Sequence, residues 1–461
     1  MAVKQPGIER RALLKGGVAL AASVGIGAPF EALARGVSRL EASPDYGPLA
    51  PVDDAHTGLP LLRLPREFQY VSMSWTGDPM THEGRVPGSH DGGAALPGPA
   101  GRVHYVRNHE QSFRPDVPSL AAPFAPRNTS YDAGNAPGGT TTVVFDPKQG
   151  RHVRTEPSLS GTVRNCAGGP TPWNSWLTCE ETLVGPDNAP FGAVLHETHG
   201  WVFEVPAVSR ARPEPIVGLG RFVHEAAAVD PRTGAVYQTE DQNDSGIYRF
   251  LPERLGRLRD GGTLQMLRIA GQPRFDTSHG VAVGSVFPVE WATIADPTRG
   301  PYGQGLDQGG ARFRRGEGMW YGSERIFFTC TTAGAAGKGQ VWELDPVESR
   351  LKLLFESPGP GVLNNPDNVT VSPRGGIVLC EDGSGPDSFV RGLTRAGEIF
   401  DFVKNDVVLD ASPNGVIEPG DYRTSEFAGA SFSPDGRWLF VNVQVPGITF
   451  AITGPWERGT L

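Results

Sequence analysis

Cysteine is scarce in this chain of 461 residues: there are four, Cys166, Cys179, Cys330 and Cys380, and no two form a Cys-x-x-Cys pair. A zinc ribbon is thereby unsupported, and with so few possible cross-links stability must come from sheet packing and bound cations. Lys/Arg-rich blocks are also missing, and with a formal net charge of -9 this argues against a nucleic-acid binder. The longest weakly apolar run, Gly16 to Ala28, is broken by glycines and too short to span a membrane. No EF-hand pattern offers calcium a one-loop site. Lys338 lacks the P-loop frame, and Gly383-Ser384-Gly385 lacks the strand-elbow-helix context of a serine hydrolase. Helical periodicity is rare as well, and Pro252 to Leu258 is one short candidate.

What the chain has instead is glycine (61) and proline (42), set between short runs of Val, Ile, Phe and Tyr. An Asp-Pro or Ser-Pro turn followed by a short apolar strand recurs at Asp146-Pro147, Asp230-Pro231, Asp345-Pro346, Ser372-Pro373 and Ser433-Pro434. Such turns join hairpin strands. Their repetition over most of the chain predicts an all-β fold, a β-propeller of roughly five to seven blades. The spacing is irregular and requires insertions, for instance around 255–312. A pair of β-sandwiches is the rival architecture. At the N-terminus, Glu9-Arg10-Arg11-Ala12-Leu13-Leu14-Lys15 resembles a twin-arginine export signal, with Ala32-Leu33-Ala34 as small residues for cleavage. The expected organisation is a signal peptide over 1–34, an extended lead-in over 35–64 and one propeller domain over 65–461.

Propeller strands converge on a central channel, so scattered residues at equivalent blade ends can meet around one ion. Acidic and polar groups stand at such places: His109-Glu110, Glu180-Glu181, His224-Glu225, Glu240-Asp241, Glu317, Asp367-Asn368, Glu381-Asp382 and Glu426. The most informative stretch runs from Asn165-Cys166 to Cys179-Glu180-Glu181. It puts a thiol, two glycines and paired carboxylates into one strand-turn-strand unit, with Trp173 and Trp176 available to exclude water. Sulfur suits a transition metal and oxygen a harder cation. A Cys166–Cys179 disulfide across that hairpin and a buried structural cysteine remain open alternatives. Cys179 and Cys380 read as buried, and His196 and His199 as part of a solvated loop.

Several of these pieces resemble the PhoX-type alkaline phosphatases. They are the twin-arginine leader, Arg107-Asn108-His109-Glu110, Cys166-Ala167-Gly168-Gly169-Pro170-Thr171-Pro172-Trp173, Gly220 to Glu225, Tyr237 to Asp241, Arg315-Gly316-Glu317, Pro366-Asp367-Asn368, Glu426 to Gly429 and Val441 to Gly447. The resemblance implies a six-bladed propeller around two ferric irons and calcium ions, acting on phosphate monoesters. It makes Cys166 the iron thiolate and Glu181, Glu317 and Glu426 the carboxylates of the cluster. Glu110, Glu225, Glu240, Asp241 and Asp367 follow as further ligands by blade position. Arg315, Lys338 and Arg423 are the substrate-holding candidates, with Arg164 near another motif. Expected partners are a small phosphate ester and the twin-arginine translocation machinery, with no nucleic acid and no transmembrane segment in the mature periplasmic or secreted protein. Two other readings stand beside this one: a calcium-dependent propeller hydrolase such as a lactonase or phosphodiesterase, and a non-enzymatic binding propeller.

Overall fold

The computed structural model describes residues 42–81, 84–113 and 124–461; the expected signal peptide lies outside them. Six antiparallel blades are built from alternating strands and tight turns. Their innermost strands are His90–Pro97, Asn165–Pro170, His224–Val229, Gly316–Gly322, Pro366–Val371 and Phe427–Phe432. Each packs against the next and the sixth returns to the first, which closes the ring. The sixth blade is completed by an early strand: Gln69–Met73 pairs with Ile448–Thr453 as its outermost member. Closure of this kind ties the two ends of the domain together.

Departures from a simple repeat are local. Residues 42–65, all but the last in the expected lead-in, form three short strands that extend the fifth blade outward, Leu62 pairing with Asn405. The second blade has three strands among the described residues. In the expected insertion, Val286–Thr293 bridges Gly262–Ile269 and Arg350–Glu356, so the third and fourth blades share one continuous nine-stranded sheet. Pro252 to Leu258 is not an α-helix. Arg254 and Arg257 turn toward Asp260 there, and a 3-10 turn follows at Leu258–Asp260. The α-helix among the described residues is Pro301–Asp307, where proline occupies the first turn. None of the helices among the described residues is long and apolar enough to cross a membrane.

Apolar side chains from facing blades fill the space between them, for example Trp342, Phe328 and Phe313 between the third and fourth. Near the axis large side chains would not fit, and the sequence places glycine and alanine there. A Cβ on Gly169 would lie 1.8 Å from the Ala227 carbonyl oxygen, and one on Gly318 would lie 2.5 Å from that of Asp367. Close approach of neighbouring inner strands is therefore a requirement at these two glycines. Gly93, Gly168, Ala226, Gly318 and Ala430, with Trp176, Met319 and Trp320, line a small gap between the inner strands.

Candidate metal centre

Every innermost strand carries a register break near its start. The breaks fall at His90/Gly93, His224/Ala227, Gly316/Met319, Pro366/Val369 and Ala428/Ser431, and opposite Asn165 in the second blade. A β-bulge re-aims the side chain it contains. In five blades that bulge holds a potential ligand followed by small or polar residues: Asp91, Cys166, Glu225, Glu317 and Asp367. The sixth has Ala428 in the matching Phe427-Ala428-Gly429 segment, and Glu426 just before it.

A second tier comes from the residue after the next strand. In all six blades its backbone N–H donates to the carbonyl of the residue that leads into the inner strand. The pairs are Glu110 to Ser89, Glu181 to Arg164, Asp241 to Val223, Thr331 to Arg315, Asp382 to Asn365 and Gln444 to Glu426, at 2.9–3.2 Å. Ser89, Arg164, Arg315 and Asn365 turn into their strands at φ of 47–56°. That left-handed backbone is uncommon outside glycine and here is held by the paired bond.

The two tiers bring ligand atoms together in four overlapping groups, the atoms of each within 4.8 Å of one another. These are Asp91 with Glu110 and Cys166; Cys166 with Glu181 and Glu225; Glu225 with Glu317 and Asp367; and Asp367 with Asp382 and Glu426. Of the residues expected from sequence, Cys166, Glu110, Glu181, Glu225, Glu317, Asp367 and Glu426 meet here. Asp241 sits beside them and pairs with Arg315 at 2.8 Å. Glu240 is not brought in. Its carboxylate accepts from Tyr248 Oη at 2.7 Å and from the Gly246 N–H, so it braces the third blade. Asp91 was missed from sequence, although an acid just before paired glycines follows the pattern of Cys166.

These acids crowd one another in a region with little water. Burial raises the carboxyl pKa values of Asp91, Glu225 and Glu317 well above the usual range, and neighbouring acids push them further. Asp367 is pushed up to about 7, by burial first and then by Asp382. Burial likewise raises the Cys166 thiol, with Asp91 next in effect. Both carboxylate oxygens of Glu225 are buried without a hydrogen-bond partner among the described residues. A partnerless buried carboxylate between other acids is costly unless cations hold it. The residues therefore fit a multi-cation site in which a single sulfur accompanies many oxygens.

Basic groups rim the mouth. Arg164 donates to Glu110 at 2.8 Å and Glu181 at 2.6 Å, and Arg315 forks onto Asp241 and reaches Glu317 at 2.6 Å. Lys338 Nζ is held by the side-chain oxygens of Asn364 and Asn365, both at 2.9 Å. Arg423 is exposed, forks onto Asp421 two residues earlier and makes no contact with the four groups among the described residues.

One open alternative is decided and two expectations are corrected. Cys166 and Cys179 do not pair, and all four cysteines are free and buried. Trp173 lies in the turn at the far end of its hairpin and bonds Glu204, so it does not wall the mouth; Trp176 is buried and donates to Asn108. His199 is not solvated: it is buried between Glu180 at 2.6 Å and Asp132 at 3.4 Å, in a loop that Glu180 anchors through the Gly200 and Trp201 N–H groups.

The family described as alkaline phosphatase PhoX matches residues 44–447. Among solved structures, PhoX of Pseudomonas fluorescens in complex with vanadate, a transition state analogue, is similar with a TM-score of 0.62 at 17% identity. The match covers 90% of this chain and 99% of that one, a likeness of fold. A gluconolactonase of Xanthomonas campestris (TM-score 0.38, 12% identity, 83% of this chain and 100% of that one) is too distant to carry an argument. The same holds for the PQQ domain of pyranose dehydrogenase from Coprinopsis cinerea (0.33, 8%, 87% and 98%). No curated protein sequence matches.

Proposed function

The chain belongs to the alkaline phosphatase PhoX family, a family of phosphoric monoester hydrolases, and we propose that it is an exported enzyme working through an iron and calcium cluster at the propeller mouth. The observation that carries the metal reading is the continuous arc of four ligand groups with Cys166 shared between the first two. Cys166 and the nearby Asp91, Glu181 and Glu225 suit iron; Glu317, Asp367, Asp382 and Glu426, all oxygen donors, suit calcium. Such cations, when bound, neutralise phosphoryl oxygens and lower the pKa of a water. The leader over 1–34 would deliver the protein to the periplasm or beyond, with residues 65–461 as the catalytic propeller.

The chain's own residues supply positioning. Arg315 spends its Nε–Nη2 edge on Asp241 and reaches Glu317 through Nη2, which fixes the guanidinium plane beside the ligand groups and leaves Nη1 to donate to a phosphate oxygen. Lys338 adds a second cation whose recorded partners are neutral amides, so its charge is not cancelled locally. Arg315→Ala is expected to lower kcat/KM on p-nitrophenyl phosphate by about 10²-fold, the scale for losing one charge-stabilising donor. Arg423→Ala, which removes an exposed fork already filled by Asp421, is expected to change it less than about twofold. Equal losses in the two variants would contradict this assignment of the substrate-holding arginine.

Purification from the export compartment, metal analysis and a p-nitrophenyl phosphate assay with and without chelator test the whole reading. Iron with calcium and chelator-sensitive turnover is the expected result. Full activity after complete removal of both metals would overturn it.

A further inference from the structure

A second built cavity lies at the end of the blades away from the cluster. In the first blade His90 pairs with His109 at the cluster end and Pro97 with Val103 at the other. In the second, Cys179 and Glu180 lie at the cluster end and Pro206 pairs with Ser175 at the other. A groove of about 520 Å³ opens there between the two blades, within the range of small-molecule sites. Pro99, Pro126, Pro157 and Pro206 stiffen its walls beside polar side chains, and Val208, 55% exposed, adds an apolar surface.

Polar groups converge on this groove. Arg102, Arg154 and Arg210 all line it, against one lining acid, Glu156, on a chain whose net charge is -9. Arg102 pairs with Asp146 and Arg154 with Glu156, whereas Arg210 has no acidic partner among the described residues. His104 also lines the groove and is 6% exposed. Its Nδ1 lies 2.6 Å from the Ala207 carbonyl oxygen. A carbonyl can only accept, so Nδ1 carries the proton. Nε2 is left without a partner among the described residues. A concave slot with prolines in its walls, three lining arginines against one acid and a guanidinium without an acidic partner suits a small organic anion.

We propose that this groove binds a small amphipathic organic anion, with its phosphate or carboxylate head at Arg210 and Arg154 and its apolar body against the prolines and Val208. The site is separate from the metal centre and does not depend on the catalytic reading. Calorimetric titration of the purified metal-loaded enzyme with two probes, 1-naphthylphosphonate and 1-naphthoate, tests it, and inhibition of p-nitrophenyl phosphate turnover reads any binding at the catalytic mouth separately. One equivalent of at least one probe is expected to bind, and the two arms tell a phosphate head from a carboxylate head. Arg210→Glu and, separately, Val208→Glu are each expected to weaken binding at least about tenfold while kcat and KM on p-nitrophenyl phosphate stay unchanged. Both residues are exposed, so neither variant strips the core. Binding of neither probe to the wild type, or binding undiminished in both variants, would overturn the proposal.

Discussion

Cys166→Ser is expected to strip the purified protein of iron and to lower its phosphatase rate by about 10³-fold or more, the scale for losing electrostatic stabilisation at a reacting phosphoryl group. Cys166 belongs to two of the four ligand groups, so its loss opens the arc between Asp91 with Glu110 on one side and Glu181 with Glu225 on the other. Serine is close in size but its hydroxyl does not ionise at neutral pH and lacks the soft sulfur that selects a transition metal. The neighbouring acids then crowd one another without the cation that offsets their charge. Cys179→Ser is the matched control: that thiol packs with Leu177, Val202 and Phe222 in the apolar core of the second and third blades. It should cost stability but leave the iron-to-protein ratio unchanged. Metal analysis and p-nitrophenyl phosphate turnover on both variants separate the two effects, and equal iron in Cys166→Ser and wild type would be the contrary result.

Removing the metals is expected to make the protein less stable as the pH rises. Asp91, Glu225, Glu317 and Asp367 all have folded-state pKa values raised above the unfolded ones, by burial first and by each other next. Folding thus favours their protonated forms. The stability they contribute is complete below the ordinary carboxyl range, near pH 4, and is lost as pH climbs through the folded values. For Asp367 that window ends at about 7. Cations reverse the sign, because they bind the ionised carboxylates and displace protons. In chelator, Tm should therefore fall between about pH 4 and 7 by several degrees, while in added iron and calcium it should hold or rise over the same range. A chelated protein whose Tm climbs through this window would show that the acids are not crowded as described.

Much of the fold was legible because turn chemistry repeats. Asp-Pro and Ser-Pro turns between short Val- and Phe-rich runs recur too often for isolated hairpins, and they mark the turns within blades. The Val286–Thr293 strand was not legible: its alternating pattern says strand, but nothing local says that it joins two blades into one sheet. The tie between Gln69–Met73 and Ile448–Thr453 is similarly a long-range pairing that only ring closure dictates. At the site, Cys166 stood out as a thiol beside glycines and paired carboxylates, while Glu317 followed from the family resemblance and Asp367 from blade position. Asp91 in His90-Asp91-Gly92-Gly93 likewise precedes paired glycines, a signal that could have found it. Glu240 and Asp241 show the limit of sequence reading. Neighbours on a strand face opposite ways, and only the partners, Tyr248 for one and Arg315 for the other, decide which faces the mouth.

Iron K-edge absorption of the purified, metal-loaded protein, measured alongside Cys166→Ser, tests most directly whether six bulged strands gather one sulfur and many carboxylates around shared cations. One sulfur scatterer per bound iron pair among oxygen neighbours, absent from the variant, is the predicted spectrum. Iron bound in the wild type with an all-oxygen and nitrogen shell, indistinguishable from that of the variant, would contradict it.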